Sequence, residues 1–225
     1  MKNRGVRVEL IRQPEWKFPD LSDIEQSLYQ KGCGAICGVD EVGRGPLAGP
    51  VVAAAVILPK GCEIEGLDDS KKLTPSQRDE LFEEIVGRDL PCAIGIMDHE
   101  TIDKVNILRA SLMAMRKAVA ELKQSPEFIL VDGTFPIPNL PQPQLAVVGG
   151  DGRCKAIAAA SIIAKVTRDR IMDHYQELYP SFSFSTHKGY PTPLHLKELD
   201  EYGPCDIHRK SFKPVARYLK GYALF

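Results

Sequence analysis

A layered α/β fold, a mixed central sheet flanked by helices with a small C-terminal helical extension, is what this 225-residue sequence predicts. Three observations point to it. Short β-branched or Ala-rich runs, such as residues 51–58, alternate along the chain with segments of helical periodicity. Residues 156–178 form a helix-length stretch whose first half is nearly all Ala and Ile, which predicts burial on most sides. The element order of strand, strand, helix, strand, helix, strand, strand and long helix suits helices layered on one sheet.

In chain order, residues 1–34 read as an irregular lead-in with one short helix near 21–30. Residues 36–39 are a short apolar strand, after which Gly43, Gly45, Pro46, Gly49 and Pro50 punctuate a bend into the buried strand at 51–58. Thr74-Pro75-Ser76-Gln77 is a helix start: Thr74 can cap, Pro75 fits the first helical position and Gln77 completes a capping box. Leu81, Phe82, Ile85 and Val86 follow at helical spacing, and Gly87 can end the helix. A strand is expected at 93–97. Ile102, Val105, Leu108, Leu112, Met115, Val119 and Leu122 recur every three or four residues and predict one long amphipathic helix.

Residues 128–131 are a strand running into Asp132-Gly133, and a loop carrying Pro136, Pro138, Pro141 and Pro143 leads to another strand at 145–148. After the long helix, Thr192 and Pro193 open a last helix that Gly203 closes. The proline-flanked stretch around 180–193 is the expected boundary. It divides the chain into an N-terminal extension (1–34), a central domain (35–185) and a helical extension (186–225).

Composition narrows the class. No apolar run approaches the roughly 18 residues of a membrane span, and the N-terminus lacks the apolar stretch of a secretion signal, so a cytoplasmic protein is expected. Cys33, Cys37, Cys62, Cys92, Cys154 and Cys205 include no CxxC pair and no accompanying His cluster, which argues against a zinc site or a disulfide framework. The net charge of −1 hides an uneven distribution: residues 63–103 are acid-rich, whereas residues 208–225 carry Arg209, Lys210, Lys213, Arg217 and Lys220 and no acid. Such a face can bind phosphates or be a solvated tail.

Acids stand at the ends of three apolar strands: Asp40-Glu41 after the first, Asp132 after 128–131, and Asp151 behind Gly149-Gly150. Adjacent strand residues point to opposite faces, so Asp40 and Glu41 can share a site only at a strand end or bulge. Taken alone, the pair reads first as a charged turn between two hairpin strands. If the three strands are neighbours, four carboxylates converge, and their repulsion raises at least one pKa unless a cation is present. Hard oxygen donors without His or Cys suit Mg²⁺ or Mn²⁺, and a pair of such ions suits phosphodiester cleavage. No nucleophile–base pair is evident, which disfavours covalent catalysis.

Basic and aromatic residues cluster near these acids in sequence. Gly43-Arg44-Gly45 follows the first pair directly, Ser70-Lys71-Lys72 precedes the Thr74 cap, and His187-Lys188-Gly189-Tyr190 lies in a proline-flanked loop. Tyr190 is either a half-buried structural tyrosine or a stacking platform. Lys165, Arg168 and Arg170 read as the solvated face of the long helix.

Several blocks resemble the signatures of the ribonuclease HII family, in its bacterial branch. They are the run from Gly38-Val39-Asp40-Glu41-Val42-Gly43-Arg44-Gly45 through Pro50-Val51-Val52-Ala53, then Asp69-Ser70-Lys71-Lys72-Leu73, Asn106-Ile107-Leu108, Val131-Asp132-Gly133 and Gly150-Asp151. Ala158-Ala159-Ala160-Ser161 onwards to Asp169, His187-Lys188-Gly189-Tyr190-Pro191-Thr192 and Ile207-His208-Arg209-Lys210-Ser211-Phe212 follow in the same order. The resemblance implies an RNase H-like sheet and a metal-dependent endoribonuclease that hydrolyses the RNA strand of RNA–DNA hybrids. It implies incision 5′ to single ribonucleotides embedded in duplex DNA, leaving 3′-hydroxyl and 5′-phosphate ends, as in ribonucleotide excision repair.

It further implies that Asp40, Glu41, Asp132 and Asp151 are catalytic ligands of Mn²⁺ or Mg²⁺. Gly43, Arg44 and Gly45 would read the ribose 2′-hydroxyl, Tyr190 would stack on the following deoxyribose, and Lys71, Lys72 and Lys188 would touch phosphates. A monomer is expected. The sister ribonuclease HIII usually has Lys where Arg44 stands, and a platform domain for which the lead-in is too short. Two other classes compete: a catalytically silent nucleic-acid-binding module and a metal-dependent phosphohydrolase of small nucleotides. Four carboxylates beside phosphates serve a pure binder poorly, and the acid-free tail suits a small substrate poorly.

Overall fold

The computed structural model describes residues 24–67, 70 and 73–219. Strands β1 (Ala35–Val42), β2 (Val51–Pro59), β3 (Cys92–Met97), β4 (Phe128–Asp132) and β5 (Gln144–Val147) form one sheet in the order β3-β2-β1-β4-β5. The β1–β2 and β2–β3 pairs are antiparallel, whereas β1, β4 and β5 run parallel. The mixed α/β sheet is the one expected.

β2 is buried on both faces, as its unbroken apolar run requires. Ala53, Ala55 and Ile57 pack towards helices α3 (His99–Val105) and α4 (Ile107–Ala120), while Ala54, Val56 and Leu58 pack towards α2 (Pro75–Gly87) and α5 (Lys155–Leu178). Each large aliphatic side chain so buried contributes roughly 1.5–3 kcal/mol. The Ala-rich half of α5 lies directly on β1: a Cβ at Gly38 would stand 2.0 Å from the Ala156 carbonyl carbon, so only glycine permits that approach. Helix α1 (Ile24–Gln30) covers the other end of this face through Ile24 and Leu28, against Ile36, Phe128 and Leu130. The part of the expected helix at 21–23 lies outside the described residues.

One expectation needs correction. The periodic stretch from Ile102 to Leu122 is two helices, broken at Asn106, which takes φ 71° and caps α4 by accepting from the Arg109 N–H at 3.1 Å. An apolar period cannot reveal such a break, because the polar side chain at the hinge replaces one helical turn with its own hydrogen bond. The Thr74–Gln77 capping box is present and α2 ends at Gly87, both as expected, with Asp89 left-handed (φ 51°) two residues on.

The C-terminal helices α6 (Phe184–His187), α7 (Pro193–Tyr202) and α8 (Lys213–Leu219) surround Phe182 and Phe184. Leu47 and Ala48, from the loop after β1, and Met172 of α5 join the same apolar cluster. That loop is therefore clasped between the sheet and the C-terminal helices. Among the described residues no helix is long and apolar enough to cross a membrane.

Candidate active site

Parallel pairing places the C-terminal ends of β1, β4 and β5 on one sheet edge, where ligands gather in α/β sheets. The β1–β4 register runs to Val39↔Val131, so Asp40 and Asp132 are the next residues on neighbouring strands. As expected the acids stand at the C-terminal end of β1, past its ladder with β4, although without a bulge: Asp40↔Ala54 and Glu41↔Ala53 keep regular register with β2. Both acids, although largely buried, line a cavity at this edge. Asp40, Glu41 and Asp132 line one cavity of about 150 Å³ together with Ser161 and Tyr190.

The site is electrostatically loaded. Burial, then Asp132, then Glu41 push the Asp40 carboxyl well above its ordinary range, against hydrogen bonds from Ser161 and the Glu41 N–H (2.7 Å). Burial also raises Glu41, with Arg44 opposing at 3.2 Å and Asp132 adding to the rise. Asp132 Oδ1 accepts the Gly150 N–H at 2.7 Å. Asp151 does not line this cavity. It is buried on the turn at Gly150–Gly152, where its Oδ1 accepts the Gly152 N–H at 3.0 Å.

The structure thus brings three of the four predicted acids together and sets the fourth one residue beyond a glycine bonded to Asp132. As they stand, no group of three or more His, Cys, Asp or Glu among the described residues could hold a metal ion. The donor chemistry nevertheless fits a hard divalent cation: three carboxylates meet in the cavity with no His or Cys among its lining residues, and their mutual repulsion is what such a cation relieves.

Sequence reasoning missed two residues on the cavity wall. Lys165, read as solvated, lines it while pairing with Asp169 at 2.7 Å, and Arg78 reaches it while donating to the Ser70 and Leu73 carbonyls. The signal was present in part: Ser161, Lys165 and Arg168 share one face of α5 at helical spacing. Arg170 does point outward, to Asp79 and Glu83.

Arg168 overturns its expectation, being fully buried. It donates to the carbonyls of Pro50 (3.0 Å), Lys188 (3.0 Å) and Ala48 (3.2 Å). Arg209, expected in an open basic tail, is buried as well and donates to the carbonyls of Gly49 (3.0 Å), Arg44 (3.1 Å), Gly43 (2.6 Å) and Pro50 (3.2 Å). Burial lowers Arg168 to about 10 and Arg209 to about 9, which leaves both charged at neutral pH. The tail behind Arg209 is tied down too: the Lys210 and Ser211 N–H groups donate to Asp103, and Arg217 pairs with Asp200. A buried charge needs such partners, and carbonyl dipoles supply them here.

Tyr190 is 38% exposed, and its ring edge lies 3.5 Å from where a Cβ on Gly45 would stand. Lys188 does not project freely, since its ammonium reaches Asp173 and the Asp169 carbonyl. Lys71 and Lys72 lie outside the described residues. Beneath Tyr190 sits a chain of neutral imidazoles. The Cys205 N–H donates to His208 Nδ1 (3.0 Å), so His208 Nε2 donates to His195 Nε2 (3.0 Å) and His195 Nδ1 donates to the Tyr190 carbonyl (2.9 Å). His187 accepts the Gly189 N–H at Nδ1 and donates from Nε2 to Glu198. The sequence shows these histidines but not their stacking. All six cysteines are free.

Known proteins resemble this chain over most of its length. The family model described as ribonuclease HII matches residues 37–215. Ribonuclease HII of Geobacter sulfurreducens is 51% identical over 201 residues, covering 89% of this chain and 92% of that protein. That of Enterococcus faecalis is 47% identical, covering 93% and 82%. Among solved structures, the ribonuclease H2 of Pyrococcus horikoshii superposes with a TM-score of 0.68 at 26% identity, over 85% of this chain and 100% of that one. An Mn²⁺ complex of the ribonuclease HIII named Bst-RNase HIII shares the fold, with a TM-score of 0.62 at 17% identity over 86% of this chain and 72% of that one.

Proposed function

This chain belongs to the ribonuclease HII family, nucleases that cleave the RNA strand of RNA–DNA hybrids, and on that premise we propose that it also incises duplex DNA 5′ to a single embedded ribonucleotide, leaving 3′-hydroxyl and 5′-phosphate ends. The observation that carries this reading is the single cavity lined by Asp40, Glu41, Asp132 and Tyr190 at the C-terminal edge of the parallel strands. Three acids and an aromatic ring converge where a phosphodiester and its sugar can lie side by side.

In this reading Asp40, Glu41, Asp132 and Asp151 hold two Mn²⁺ or Mg²⁺ ions. Bound there, such ions would supply Lewis-acid activation of water and charge stabilisation at the leaving oxygen. The chain's own residues bind and select. Gly43, Arg44 and Gly45 run beside the cavity with Gly45 exposed next to Tyr190, and their backbone would engage a ribose 2′-hydroxyl, the group that distinguishes RNA from DNA, while Arg209 holds the Gly43 and Arg44 carbonyls. Arg44, half-exposed and paired to Glu41, can turn to a phosphate. Tyr190 offers its exposed ring to the next sugar. Lys71, Lys72 and Lys188 contact flanking phosphates, Lys188 by exchanging its Asp173 partner. The enzyme acts as a cytoplasmic monomer, built as an N-terminal extension (1–34), a catalytic domain (35–185) and a helical extension (186–225).

The test is incubation with duplex DNA containing one ribonucleotide, with and without Mn²⁺ or Mg²⁺. Metal-dependent nicking 5′ to the ribonucleotide is expected. Binding without nicking, with either metal, refutes the proposal.

A further inference from the structure

The loop from Gly43 to Pro50 has little regular structure to hold it, its one ladder contact being the Ala48↔His208 bridge. Its shape depends on what donates to its carbonyls. Arg168 and Arg209 supply seven such hydrogen bonds between them, and six fall on residues 43–50. The seventh, from Arg168, falls on the Lys188 carbonyl, two residues before Tyr190. Arg168 also lies 5.9 Å from the Tyr190 ring centre. The two segments are joined directly as well, by the Leu47 N–H on the Gly189 carbonyl at 2.7 Å.

We propose that Arg168 and Arg209 are positioning residues for junction recognition: they set the gap between the Gly43–Gly45 backbone and the Tyr190 ring, and with it the preference for a lone ribonucleotide followed by deoxyribose. The inference rests on the roles of those two elements argued above. The carboxylates do not depend on the arginines in the same way. Asp40 and Asp132 are carried by β1 and β4, whose ladders pair residues outside the loop. A disturbance of the guanidinium pair therefore falls on recognition before it falls on the reacting edge. Lysine cannot replace either residue, because a point ammonium does not span three or four separate carbonyls as a planar fork does.

The test compares Arg168→Lys and Arg209→Lys with the wild type on two substrates, duplex DNA with one ribonucleotide and a continuous RNA–DNA hybrid, with a thermal melt of each protein. The expected result is a fall in kcat/KM on the single-ribonucleotide duplex of about tenfold or more relative to the continuous hybrid, the scale of a small misplacement. Equal losses on both substrates, or none on either, overturn the proposal. Gly189→Ala opens the same gap from the other side, since its Cβ would meet the Ala48 carbonyl oxygen at 2.7 Å while both arginines stay in place. It should show the same selective loss, and it decides the matter if a lysine variant gives no cooperative melt. A wild-type enzyme inactive on both substrates would refute the functional reading itself, a result distinct from loss of selectivity in the variants.

Discussion

The backbone N–H of Gly150 donates to Oδ1 of Asp132 at 2.7 Å, tying the turn after β5 to the end of β4. Asparagine at position 132 keeps an oxygen that can accept this bond but removes the negative charge. Asp132→Asn should therefore fold normally and bind hybrid, while turnover falls by roughly a hundredfold or more, the scale of losing one electrostatic stabiliser. Single-turnover cleavage and a gel-shift titration measure the two properties. Near-normal cleavage would show that Asp132 has been given the wrong role.

Tyr190 is exposed at the cavity and lies over Gly45. Removing its ring by Tyr190→Ala should cost about 1–3 kcal/mol of stacking where a single sugar must be recognised. Cleavage at a lone ribonucleotide should then fall about tenfold more than cleavage of a long hybrid. Matched losses on both would argue that the ring is only structural.

Asn106 separates α3 from α4 at φ 71° and caps the second helix. Asn106→Ala loses the cap and forces a Cβ-bearing residue without a compensating hydrogen bond into the left-handed region, a destabilisation of about 2 kcal/mol. Asn106→Gly should cost only a few tenths of a kcal/mol. Urea midpoints would show the order, and an alanine variant as stable as the glycine variant would contradict it.

Burial, and then a neighbouring imidazole, lowers His195 to about 4 and His208 to about 3. The unfolded chain takes up protons near the ordinary histidine value of about 6.5, while the folded protein keeps both rings neutral. Stability from this pair is therefore fully present above that value and is lost as pH falls towards 4 and then 3, with a limiting slope of about 1.4 kcal/mol per histidine per pH unit. Urea unfolding at a series of pH values should show a shallower slope for His208→Gln than for the wild type. Parallel slopes would rule the pair out as the source.

Much of this was legible beforehand. The layered sheet follows from the runs at β2 and α5, and the meeting of Asp40, Glu41 and Asp132 follows from two apolar strands, β1 and β4, with carboxylates at their ends, whereas Asp151 sits on the turn after β5. What stayed hidden is long-range. A lone arginine such as Arg168 looks solvated in a helical pattern until the carbonyls of residues 48–50 fold over it. Arg209 looked like part of a phosphate-binding tail because charge in a sequence carries no sign of burial. Asn106 breaks a helix whose apolar period runs straight through it.

The central claim is that acids distant in sequence share divalent cations at one sheet edge. Anomalous diffraction from crystals soaked in Mn²⁺ with a bound hybrid tests it most directly. The account predicts manganese peaks within roughly 2.0–2.4 Å of carboxylate oxygens of Asp40, Glu41, Asp132 and Asp151, a range set by hard oxygen coordination. Manganese elsewhere on the surface, with these carboxylates left unligated, would contradict it.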